Sequence, residues 1–181
     1  MIQGWCTWLT GRPGSGKSSI AKIIKEKSLE KGVTLQILSS DELRKIITPD
    51  PKYTEGERDL VYSSIVYIAK LLTMNGVNVL VDATGNRRKY RDNCRATIVK
   101  FKEIYLRCTV NVCIERESKR TASILAPNQI YKKTSIVTNT VPGFGSPYEE
   151  PLNPDLIIDT DKLDPEKSSE LIVNQILTEY R

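Results

Sequence analysis

Gly11-Arg12-Pro13-Gly14-Ser15-Gly16-Lys17-Ser18-Ser19 satisfies G-x-x-x-x-G-K-[ST], the spacing of a phosphate-binding loop. Glycines let the backbone wrap closely, so successive N–H groups converge on an anion. The helical pattern that starts at Lys17 aims the positive end of its dipole at the same point. Lys17 would reach the β- and γ-phosphates of ATP, and the Ser18 hydroxyl would bind Mg²⁺. Gly11, Gly14, Ser15, Gly16 and Ser19 complete the expected cradle. Two carboxylates fall where strands should end. Asp82 closes the run Val79-Leu80-Val81, and Asp41 follows Leu38-Ser39-Ser40. Asp82 could hold Mg²⁺ or activate an acceptor hydroxyl. The competing reading is a helix N-cap, but Thr84 and Asn86 are better placed to cap the next helix. For Asp41 the cap reading is the stronger competitor, because it directly precedes a helical pattern. There is no histidine, so a general base must be Asp, Glu or Lys, and His-based triads and zinc sites are excluded.

Around these lie cations for two anionic ligands. Arg116 and Arg120 are four residues apart on one helical face and would close over the transferring phosphoryl group. Arg44, Arg58, Arg88 and Arg91 are candidates for the acceptor site, with Tyr53 as a ring that could stack on it. Lys132 and Lys133 lie in a long polar stretch, about 120–151, which reads as a lid. A solvated surface face is the alternative for each of these cations.

Positioning these groups requires alternating strands and helices. Strands are expected at 4–9, 34–38, 78–81, 103–108 and 156–158. Helices are expected at 17–31, 42–47, from a Thr54 cap to about 75, at 87–100, at 111–119 and from about 164. Thr54 with Glu57 reads as a capping box. Val61, Ile65, Ile68, Ala69 and Leu72 keep a helical period. The order implies an α/β fold, with a five-stranded parallel sheet flanked by helices and ligands beyond the carboxyl ends of the strands.

The chain's 181 residues read as a single domain, with a net charge of +5 and no long basic run. A nucleic-acid stripe is therefore not indicated. The four cysteines form no C-x-x-C and read as buried thiols. No apolar stretch is long enough to span a membrane, so the chain reads as cytoplasmic.

As a set, these residues resemble the adenylyl-sulfate kinases. The resemblance is carried by the phosphate loop, Asp41-Glu42-Leu43-Arg44, Thr54-x-x-Glu57-Arg58, Ala69-Lys70-Leu71-Leu72 and Ile130-Tyr131-Lys132-Lys133. Most particular is Gly143-x-x-Ser146-Pro147-Tyr148-Glu149-x-Pro151-x-Asn153-Pro154. The resemblance implies a P-loop nucleotide-kinase fold, a mobile lid, ATP and Mg²⁺ as cofactors, and often a dimer. It also implies transfer of the γ-phosphoryl group to the 3′-hydroxyl of adenylyl sulfate.

The departures cluster in the acceptor pocket. Ser39-Ser40-Asp41 stands for the family's Asp-Gly-Asp, Asp82 for a serine, Val61 for an asparagine and Val141 for a phenylalanine. Two alternatives therefore stay open: a kinase of the same fold for another hydroxyl metabolite or nucleotide, and a nucleotide-dependent binding protein.

Overall fold

The computed structural model describes residues 3–119, 141–142 and 145–180. Five strands form one parallel sheet in the order β2-β3-β1-β4-β7. They are β1 (Cys6–Thr10), β2 (Leu35–Ser39), β3 (Asn78–Asp82), β4 (Phe101–Arg107) and β7 (Leu156–Asp159). The helices are α1 (Lys17–Glu30), α2 (Ser40–Ile47), α3 (Glu55–Met74), α4 (Arg88–Thr97), α5 (Val110–Ser118) and α6 (Pro165–Glu179). Two short strands, β5 (Val141–Pro142) and β6 (Gly145–Ser146), pair with each other. The fold class is the one the sequence implies.

Strand alternation divides the core. Cys6 and Trp8 of β1, with Val79 and Val81 of β3, face α3 and α4. Leu9, Leu80, Ile104 and Leu106 face the other way, onto Ile20, Ala21 and Ile24 of α1 and Ile172, Val173 and Ile176 of α6. A residue two positions on in a strand shares its face. Asp82 therefore leaves β3 on the side of Leu80 and α1, the side of the phosphate loop. The register sets Asp82 opposite Leu9 on β1 and Ser39 on β2.

Several local expectations are corrected. Helix α2 starts at Ser40, so Asp41 lies in its first turn rather than capping it. The cap is Ser39, whose Oγ accepts the N–H groups of Asp41 and Glu42 at 3.3 and 3.4 Å. Helix α4 ends at Thr97, short of the expected Lys100. Neither Thr84 nor Asn86 caps it. The N-cap position is Arg87 with no side-chain cap, and the carboxylate of Glu149 accepts the Arg88 N–H at 2.8 Å instead. The Thr54 capping box is present as expected. The expected lid extended to Pro151, yet 147–150 is bonded to the body: Asn86 Nδ2 donates to Pro147 O, and Glu149 N donates to Asn86 O. Among the described residues, no helix is long and apolar enough to cross a membrane.

Candidate active site

Gly14 and Gly16 take positive φ, +83° and +94°, which turns the loop into helix α1. A Cβ on Gly14 would lie 2.4 Å from Cys113 O, so the loop also rests against α5. Gly16 is the helix N-cap and supplies no side-chain cap, and the first turn carries no acid. That helix end offers backbone donors and a positive dipole to an anion. Lys17 Nζ donates to Gly11 O at 2.9 Å and Arg12 O at 3.0 Å, folding back across the loop. Loss of water around Lys17 lowers its pKa, and the carboxylates of Asp82 and Asp41 oppose that shift. One cation is therefore shared by the two strand-end acids. The Ser15 hydroxyl is buried inside the loop without a hydrogen-bond partner among the described residues. Ser18 and Ser19 are exposed at the mouth.

A second cluster stands beside the first. Arg44 lies one turn after Asp41 on α2, is buried, and sets its guanidinium 5.3 Å from the Tyr53 ring centroid and 6.0 Å from that of Tyr62. Its Nη1 is buried without a hydrogen-bond partner among the described residues. Arg58 is buried too, its Nε donates to Tyr53 O at 3.2 Å, and burial lowers its pKa. Tyr53 is the one non-glycine among the described residues with positive φ, +56°. Such a conformation costs about 1–3 kcal/mol and concentrates at functional sites. Arg44, Tyr53 and Arg58 thus converge, and an anion would suit the buried Arg44 Nη1.

Other expected site residues are engaged elsewhere. Arg116 Nη2 donates to Thr160 O at 2.6 Å, and its Nη1 lies 3.8 Å from Cys108 Sγ. Arg88 Nη1 donates to Glu150 O at 3.2 Å. Arg120, Lys132 and Lys133 lie outside the described residues.

Sequence reasoning missed Tyr62, which is buried and whose hydroxyl accepts the Gly85 N–H at 3.2 Å. Its ring packs against that of Tyr90, tilted by 30° with centroids 4.3 Å apart. Tyr62 sits next to Val61 in the apolar period of α3, a signal that points to core and hides the hydroxyl. Arg91, expected at the acceptor site, is instead held within the fold. It is buried against Glu103 at 2.5 Å and donates to the carbonyls of Gly85 and Glu149.

Magnesium prefers oxygen donors and commonly takes one or two carboxylates plus substrate phosphates. Ser18, Asp41 and Asp82 fit that donor set, and among the described residues no group of three or more acids, cysteines or histidines forms a self-sufficient metal cage.

An open helix N-terminus behind a glycine loop, an invading lysine and strand-end acids together define a P-loop phosphotransferase. The family model of adenylylsulphate kinase matches residues 3–159. The adenylyl-sulfate kinase of Rippkaea orientalis is 37% identical over 160 residues, covering 88% of this chain and 83% of its own. A probable adenylyl-sulfate kinase of Pyrococcus abyssi is 30% identical over 174 residues, covering 96% and 95%. The Mycobacterium tuberculosis APS kinase CysC, solved in complex with AMPPNP and APS, superposes with a TM-score of 0.84 at 27% identity, covering 98% of this chain and 99% of that one. The chain belongs to the adenylyl-sulfate kinase family.

Proposed function

We propose that the chain transfers the γ-phosphoryl group of ATP to the 3′-hydroxyl of adenylyl sulfate. One observation carries this reading beyond family membership: the Lys17 cation lies in the field of both Asp41 and Asp82, while Arg44, one turn after Asp41, is buried with Nη1 unpaired among the described residues. The first group handles a polyphosphate, and the second receives an anionic acceptor.

In this reading the N–H groups of the loop and of the first turn of α1 hold the β- and γ-phosphates. Lys17 follows the charge that develops between them, where a preorganised cation stabilises the transition state most. Asp82 accepts the proton of the attacking hydroxyl, and Asp41 orients the same region. Arg44 and Arg58 neutralise the anionic groups of the acceptor, while the Tyr53 ring stacks on its base. Mg²⁺, held by Ser18 and Asp82, would add charge neutralisation at the phosphates. Arg116 and Arg88 join only if ligands draw them from the carbonyls of Thr160 and Glu150. Arg120, Lys132 and Lys133 would supply charge from the lid. The reading includes a homodimer, and a cytoplasmic setting accords with four buried free thiols.

A second reading, a same-fold kinase for another hydroxyl compound, is favoured by Asp82 and Val61 standing where the family places serine and asparagine. A coupled assay of ADP release, with ATP and Mg²⁺ and a panel of acceptors, separates the two. The first reading expects adenylyl sulfate to give the highest kcat/KM. A higher value with a different acceptor class overturns it.

A further inference from the structure

Arg12 belongs to the phosphate loop, but its side chain leaves it. The guanidinium stands 5.3 Å from the centroid of the Tyr148 ring, and Nη1 lies 3.2 Å from Glu150 Oε1. Its Nε is buried without a hydrogen-bond partner among the described residues, so the ring and Glu150 fix the guanidinium. Tyr148 is itself anchored. Its hydroxyl lies 3.1 Å from Thr10 Oγ1, which donates to Thr84 O at 2.7 Å. Tyr105, on the neighbouring strand, packs its ring beside that of Tyr148 with centroids 6.3 Å apart.

The other side of segment 147–150 grips the loop that follows Asp82. Asn86 bonds Pro147 O at 3.1 Å and accepts Glu149 N at 2.8 Å. The Glu149 carboxylate takes Arg88 N and, at 3.1 Å, Arg87 Nη1. Arg91 Nη2 donates to Glu149 O at 2.7 Å.

We propose that Arg12 is a positioning residue: through Tyr148 and Glu150 it bolts the phosphate loop to the loop that follows Asp82, fixing donor and acceptor relative to each other. The proposal rests on the reading of the site as an adenylyl-sulfate kinase. An exposed ion pair contributes little stability on its own. Its value here is geometric, because a misplacement of about 1 Å between reacting groups costs up to about a hundredfold in rate. Each substrate would still bind its own half-site, so the loss falls on kcat.

The test is a double-mutant cycle in the full chain with ATP, Mg²⁺ and adenylyl sulfate. Arg12→Met and Glu150→Gln are each expected to lower kcat about tenfold, with both KM values within about threefold of wild type. The double variant is expected to lose no more than the worse single one, because both break one contact. Losses that multiply to about a hundredfold overturn the proposal. So does a loss confined to Arg12→Met with a raised KM for ATP, which would mean direct contact with the phosphates. Wild-type rates in both singles overturn it too. If the wild type itself does not use adenylyl sulfate, the functional reading falls and the bolt is judged by amide hydrogen exchange in the free protein. Arg12→Met should then speed exchange at Gly85 and Glu149, and unchanged exchange there contradicts the proposal.

Discussion

Glu149 accepts the backbone N–H of Arg88 at 2.8 Å, so the charge at the start of α4 comes from a residue 61 positions downstream. An acid at a helix N-terminus is favoured by the unpaired donors and the dipole there. The same carboxylate pairs with Arg87 at 3.1 Å. The Arg88 N–H bond first, then the Arg87 contacts, hold the Glu149 pKa below its ordinary value of 4.5 against partial burial.

The pH dependence follows in sign. The native state binds the Glu149 proton less tightly than the unfolded chain does. Its stabilisation is therefore complete above the unfolded pKa and is lost as pH falls through the folded one. Glu149→Gln should be less stable than wild type above pH 4.5, and the difference should shrink on acidification. Urea denaturation of both proteins across the acid range checks this. A difference that grows on acidification contradicts it.

Lys17 is expected to matter for rate and not for stability. Its lowered pKa, caused first by loss of water, means that the charge is held at a cost in the free protein. Lys17→Met keeps the apolar stem and removes the charge. Turnover should fall by about 10²–10³-fold or more. The melting temperature should stay level or rise. Near-normal turnover would remove Lys17 from the chemistry.

Asp82→Asn keeps the size of the side chain and deletes the charge on the loop-facing side of β3. If Asp82 receives the hydroxyl proton, turnover should drop by about a hundredfold or more, while ATP binding changes little. Steady-state kinetics beside calorimetric ATP titration would show the split. Retention of more than a tenth of wild-type turnover would leave Asp41 as the acting acid.

Gly14→Ala meets two obstacles. The backbone has φ +83°, and the new methyl would lie 2.4 Å from Cys113 O. The left-handed conformation alone costs a non-glycine residue about 1–3 kcal/mol. The urea midpoint should fall, and ATP affinity should fall with it as the loop is pushed off α5. An unchanged midpoint would show that the loop moves freely there.

What the sequence makes legible here is local. The phosphate loop, the Thr54 capping box and the end of β3 at Asp82 depend on neighbours within a few residues, and each is in place. The side of the sheet that Asp82 takes follows from the parity of Val79, Leu80 and Val81. The illegible parts depend on distant backbone. Arg116 and Arg88 meet the carbonyls of Thr160 and Glu150, which no local pattern announces. Thr84 and Asn86 are better caps by type than anything beside them, yet Glu149 arrives from across the fold. Arg12 looks like a filler position of the loop motif, and only packing against Tyr148 shows where it goes.

The central claim is where the phosphoryl group goes. Wild-type protein incubated with ATP, Mg²⁺ and adenylyl sulfate should yield ADP and one new phosphomonoester, seen by ³¹P NMR coupled to the ribose 3′-proton. Consumption of ATP with no new phosphomonoester on adenylyl sulfate, or with the new phosphate at any other position, would contradict the account.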